Sequence, residues 1–95
     1  MTVPGTSEPY EIFLARSAQR NLSTLPEKVA QACLEFIHGP LADKPQRVGK
    51  PLKAPLEGQH SARRGPYRVV YRIDDDDHVV AVVGIIHRAD AYRPR

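Results

Sequence analysis

The run QHSARRGPYRVVYRIDDDDHVVAVVGIIH, residues 59–87, decides the fold. Its β-branched and aromatic residues alternate with polar ones between turn-forming clusters, which predicts three strands over about residues 59–64, 67–74 and 78–87. Gly65 and Pro66 join the first pair and the aspartate run 74–77 joins the second, and both links are short enough for antiparallel hairpins. Within residues 67–73 the period of two sends Tyr67, Val69, Tyr71 and Ile73 to one face and Arg68, Val70 and Arg72 to the other. The apolar set has to meet a core. Arg68 and Arg72 therefore project from an open face, joined by one or both of Arg63 and Arg64 from the neighbouring strand. The third strand is nearly all aliphatic, as expected of a central strand, and breaks off into His87, Arg88, Asp90, Tyr92, Arg93 and Arg95.

Upstream, Tyr10, Ile12 and Leu14 alternate with Glu11 and Phe13 and predict a first strand over residues 10–14. A short helix over about residues 18–23 follows, with Ser17 as its expected cap. Thr24 and Glu27 form a T-x-x-E capping box around Pro26, a helix start in which each side chain satisfies a backbone donor at the other's end. Val29, Ala32, Cys33, Phe36 and Ile37 then follow an amphipathic stripe, and Gly39 with Pro40 is expected to stop it. Cys33 lies in that stripe and reads as a small buried apolar side chain rather than a reactive thiol. Residues 39–58 carry Lys44, Arg47, Lys50 and Lys53 between prolines and glycines and read as a long ordered loop with at most one helical turn. The order strand, helix, helix, strand, strand, strand predicts an α+β fold, with both helices packed on one face of an antiparallel sheet. At 95 residues it forms one domain, with residues 1–8 as a loose leader.

Charge is unevenly spread. Residues 1–43 hold three basic and five acidic residues, whereas residues 44–95 hold eleven basic and six acidic, four of the six being the aspartate run. A clustered basic surface attracts polyanions, because each neutralised phosphate releases condensed counterions; the alternative is a solvated surface that keeps the protein soluble. Arg72, next to the aspartates, could equally pair with them. His87, delivered with guanidinium and phenol groups at the end of a rigid strand, suits proton transfer, or else is an ordinary surface histidine; His38, His60 and His78 read as structural or solvated. The single Cys33 cannot form an internal disulfide, and no Cys/His cluster has zinc-ligand spacing, so neither a metal nor another cofactor is expected. The N-terminus lacks a signal-like apolar segment, and the longest apolar run, residues 79–86, is far short of the roughly 20 residues that span a bilayer. A cytoplasmic protein is expected.

Two motifs make the pattern specific. G-P-Y-R-V-V-Y at residues 65–71, followed sixteen residues later by H-R-A-D-A-Y-R at 87–93, resembles the signatures of the RelE/ParE toxin superfamily, as do K-P-L-K-A-P-L-E-G at 50–58 and L-P-E-K at 25–28. The resemblance covers about residues 10–93 and implies an α+β toxin with a four-stranded antiparallel sheet. It implies a cognate antitoxin that wraps the toxin, and, for RelE-like members, entry into the ribosomal A site and metal-free cleavage of mRNA there. Position by position it implies that Arg68 stabilises the transition state, Arg88 binds phosphate or the leaving oxygen, Tyr92 stacks on a base or positions the 2′-hydroxyl, and His87 acts as acid or base. Arg63 and Arg64 would hold phosphate, with Lys50, Lys53, Arg72 and Arg93 completing the RNA-binding set. Gln59 and Ser61 stand where relatives carry lysines, Pro66 replaces the usual aspartate, and His60 an aromatic, so the lysine base falls to His87 or Tyr92. A ParE-like protein that inhibits gyrase, or a relative that only binds RNA or antitoxin, is the alternative.

Overall fold

In the computed structural model, which describes residues 8–87, five strands form one sheet: β1 (Glu11–Leu14), β2 (Lys50–Pro51), β3 (His60–Arg64), β4 (Tyr67–Asp74) and β5 (Val79–His87). Their order is β1-β5-β4-β3-β2. The three predicted strands form the expected meander, β3–β4 through Gly65 and Pro66 and β4–β5 through the aspartate run. Gly65 takes φ 60°, which with proline next is the geometry of a primed two-residue hairpin turn. The sheet departs from the expected four antiparallel strands in two ways: it gains the two-residue β2, and β1 runs parallel to β5. No turn links β1 to a neighbour, so its direction is set by how the helices return the chain rather than by local sequence.

Three α-helices precede the meander: α1 (Arg16–Ser23), α2 (Glu27–Phe36) and the short α3 (Pro45–Val48). Their ends differ from the capping chemistry read in the sequence. Ala15 stands at the N-cap of α1, while the Ser17 hydroxyl inside the helix donates to the Val83 carbonyl. Thr24 closes α1 in a helical backbone conformation (φ −94°, ψ −5°), and its hydroxyl donates to the Asn21 carbonyl at 2.8 Å. A residue so placed cannot take the extended conformation an N-cap needs, so the capping box does not form and α2 starts after Pro26. Nor does Gly39-Pro40 stop the second helix. The chain widens into a π-type turn, Ile37–Leu41, which tolerates a proline without a donor and carries Leu41 into the core beside Ile37.

One face of the sheet is covered. Ala18, Cys33, Ile37 and Leu41 from the helical side meet Ala62, Val69, Tyr71, Val80, Val82 and Ile85, all buried. Burial pushes the Cys33 thiol up, with the charge of Arg64 acting weakly against it, which agrees with an inert core position.

Two features of β5 position the site. Val70 pairs with Gly84 and Tyr71 with Val82, so Val83 is a bulge with no partner on β4. The extra residue reverses the alternation beyond it: Val80 and Val82 face the core before the bulge, and Ile85 does so after it. The bulge also lies where β1 has ended. From there α1 satisfies the bare edge of β5, with Ala15 N–H donating to the Val82 carbonyl at 2.9 Å, Ser17 to the Val83 carbonyl, and Ile85 N–H donating to Asn21 Oδ1 at 2.9 Å. Replacing Asn21 by leucine strands the Ile85 donor, and the expected loss is about 1–3 kcal/mol in chemical denaturation, whereas Asn21→Asp keeps the acceptor and retains most of the stability.

Candidate functional site

Residues directly opposite one another in a ladder share a face, so the register maps the open side of the sheet. Arg63 is opposite Arg68, and Arg68 opposite Ile86, forming one row across β3, β4 and β5. The next row holds Lys50, Ser61, Val70 and Gly84. A third runs from Arg72 through Ala81 to Phe13, and the last from Asp74 through Val79 to Glu11. The face is thus graded from basic at the Gly65 hairpin to acidic at the aspartate turn. Arg63, Arg72 and Lys50 are exposed and Arg68 is half-buried. Arg63 and Arg68 thus bring two guanidinium-bearing residues directly opposite each other on this face.

The structure separates some of the predicted residues. Arg64 is opposite Tyr67, and Tyr67 opposite His87, on the face of Val69 and the helices. Of the two arginines that end β3, only Arg63 joins the open face. His87 is exposed at the end of β5 and stands edge-on to Tyr67, ring centroids 5.1 Å apart and planes at 88°. Without the Val83 bulge, strict alternation from Val80 and Val82 would have turned His87 to the face that carries Arg68; with it, Ile86 is on that face and His87 on the other. The signal was in the sequence: Gly84, a glycine inside an aliphatic strand, is a common mark of a bulge. Lys53 is exposed in the segment between β2 and β3. Arg88, Tyr92 and Arg93 lie outside the described residues.

Phe13 is a surface feature that the sequence reading put on the far side of its strand without a role. Its side chain is 59% exposed, the most of any large apolar residue described. A cleft of about 680 Å³ opens beside its row, lined by Arg72, Ala81, Val79, Gly58 and the aspartate turn. The aspartates are partly engaged. Asp75 accepts from the Tyr10 hydroxyl at 2.6 Å and from Gln46 Nε2 at 2.9 Å, and Asp74 accepts from the Asp77 N–H at 3.0 Å. Tyr10 also stacks on His78, centroids 3.8 Å apart, and its hydrogen bond to Asp75 raises the phenol above its ordinary value. This knot makes His78 structural, as expected, and ties the start of β1 to the β4–β5 turn.

Among the described residues no group of three His, Cys, Asp or Glu converges as a metal site, and no helix is long and apolar enough to cross a membrane.

Comparison with known proteins agrees with this geometry. Residues 12–92 match the family model described as ParE toxin of type II toxin-antitoxin system. Toxin RelE of Mycobacterium tuberculosis is 54% identical over 85 residues, 90% of this chain and 88% of the relative. Toxin RelG of the same organism is 47% identical, over 90% of this chain and 98% of the relative. The toxin–antitoxin complex RelBE2 from Mycobacterium tuberculosis contains a chain that superposes with a TM-score of 0.82 at 44% identity, covering 85% of this chain and all of that one.

Proposed function

Because this chain belongs to the ParE toxin family of type II toxin–antitoxin systems, within the RelE/ParE superfamily, we propose that it is the RelE-like kind of toxin, an endoribonuclease that cuts mRNA in the ribosomal A site. The observation that carries the reading is the Arg63–Arg68 pair on the open sheet face. Two guanidinium groups on directly opposite residues match the paired oxygens of a phosphodiester. A gyrase inhibitor that only binds protein has no need of them. The names of the relatives at 54% and 47% identity support the same branch.

In this reading the ribose 2′-hydroxyl loses its proton and its oxygen attacks the adjacent phosphorus. Charge builds on the non-bridging oxygens, and the bond to the 5′-oxygen breaks as that oxygen gains a proton. The products are a 2′,3′-cyclic phosphate and a 5′-hydroxyl. Arg68 stabilises the charge on phosphorus, and Arg63, Arg72, Lys50 and Lys53 hold the flanking backbone, with Arg64 taking phosphate at the hairpin end. Arg88, Tyr92 and Arg93 follow His87 in the chain; Arg88 takes charge on the leaving oxygen, Tyr92 orders the nucleotide and Arg93 binds backbone. The proton shuttle in this reading is His87, which the message reaches by crossing the exposed end of β5, since the imidazole stands against Tyr67 on the side of the sheet away from Arg68. The reaction needs no metal. The complex formed by the 44%-identical relative supports an antitoxin as this protein's partner, and in this reading the toxin acts in the cytoplasm, where ribosomes and message are.

Purified protein mixed with mRNA-programmed ribosomes is expected to cut the message at the A-site codon. Intact message together with gyrase-dependent DNA breaks would place the protein with the gyrase inhibitors instead.

A further inference from the structure

The third row of the open face has an unusual profile. Phe13 on β1 and Arg72 on β4 flank Ala81 on β5 between them. Neighbouring strands are about 4.8 Å apart, so the two outer backbones are about 10 Å apart, with only a methyl group on the floor. A planar ring inserted between two flat groups needs about 7 Å between them, two contacts of roughly 3.5 Å each. Phe13 and the guanidinium of Arg72 are both flat, and both are exposed.

We propose that Phe13 and Arg72 form a slot over Ala81 that takes one unpaired nucleobase of the bound RNA, stacked on the phenyl ring on one side and on the guanidinium on the other. The inference rests on the ribonuclease reading and adds to it a site that holds a base rather than a phosphate. Charge fixes the way the nucleotide enters. Beyond the slot lie Glu11 and Asp74, which repel phosphate and can accept hydrogen bonds from a base edge; on the other side lie Lys50, Arg68 and Arg63. The base therefore points toward the aspartate turn, and its phosphates run back toward Arg68. An exposed phenylalanine facing carboxylates suits this occupant, since base–aromatic stacking tolerates any base and needs no buried partner.

The test compares a short single-stranded RNA with an oligomer of the same length and phosphate count in which the bases are replaced by abasic sites, both read by fluorescence anisotropy at fixed salt. Phe13→Ala is expected to weaken binding of the RNA roughly tenfold and leave the abasic oligomer unchanged, and Phe13→Tyr to restore wild-type affinity. Wild-type protein that binds the two oligomers alike, or binds neither, overturns the slot. So does a Phe13→Ala variant that keeps its RNA affinity and loses antitoxin, which would make Phe13 a protein contact. Base-dependent RNA binding without cleavage on ribosomes sinks the ribonuclease reading and leaves the slot standing, so the two failures are distinct.

Discussion

Arg68→Ala is expected to abolish growth arrest on expression and to lower mRNA cleavage on ribosomes by about 10²- to 10³-fold, the usual loss when one preorganised donor to a developing charge is removed. The expectation follows from position. Arg68 is in the middle strand of the β3–β4–β5 meander, half-buried, flanked by Arg63 on one side and Ile86 on the other. Among the described residues no other cation on the open face is held by strands on both sides, and a site rigid enough for catalysis has to be built on such elements. Antitoxin affinity should stay close to wild type, which separates loss of the cut from loss of the partner. Arg68→Lys keeps the charge but loses the planar fork, and should fall between the two. A variant Arg68→Ala that still cleaves within threefold of wild type would show that the chemistry is elsewhere.

The second large effect is structural. Gly49 precedes β2, and a methyl group there would collide with the Tyr71 hydroxyl oxygen and lie 2.7 Å from the Ser61 carbonyl oxygen. Backbone conformation is not the reason, since Gly49 is extended (φ −129°, ψ −175°), as any residue can be. Contact is. The Tyr71 ring is fully buried, and its hydroxyl donates to the Pro45 carbonyl at 2.6 Å; burial pushes this phenol up to about 12, so it remains a donor at any working pH. Gly49→Ala must either push this hydroxyl off its acceptor or peel β2 from β3. Overpacking together with a lost buried hydrogen bond is worth roughly 3 kcal/mol, which for a domain of this size lowers Tm by at least about 12 °C. Adding Tyr71→Phe to Gly49→Ala should recover part of the loss, because it removes the nearer of the two colliding atoms, while the Ser61 carbonyl remains. Such non-additivity is the signature of direct contact. A Gly49→Ala protein melting within 2 °C of wild type, a figure well inside the shift that about 1 kcal/mol gives, would refute it.

Much of the site was readable from Tyr67 to Ile73, because nothing interrupts the period of two in that strand. Arg68 and Arg72 stand on the open face for the same reason that Val69 and Tyr71 are buried. The helical stripe through Cys33 and Ile37 was equally plain. What local pattern could not give was the outcome of a competition, whether with a nearby backbone acceptor or with a tertiary partner. Thr24 had a capping partner in sequence at Glu27, but the carbonyl of Asn21 took its hydroxyl. Pro40 should have ended a helix, yet burial of Leu41 drew the chain on through a wider turn. His87 is the instructive case. One bulged residue at Val83 inverted the parity of the strand end, so a histidine that strict alternation turns to the arginine face stands against Tyr67 instead. The bulge itself serves the edge that α1 covers through Ser17 and Asn21, a need that only the assembled fold creates.

The chemistry of the cut ends reports directly on whether the ribose oxygen attacks. After reaction on programmed ribosomes, the upstream fragment is expected to end in a 2′,3′-cyclic phosphate or its hydrolysis product, a 3′-phosphate, and the downstream fragment to begin with a 5′-hydroxyl, with both lost in Arg68→Ala. A 3′-hydroxyl facing a 5′-phosphate would mean that water, not the ribose, attacks, and the account of this arginine face as a transphosphorylation site would be wrong.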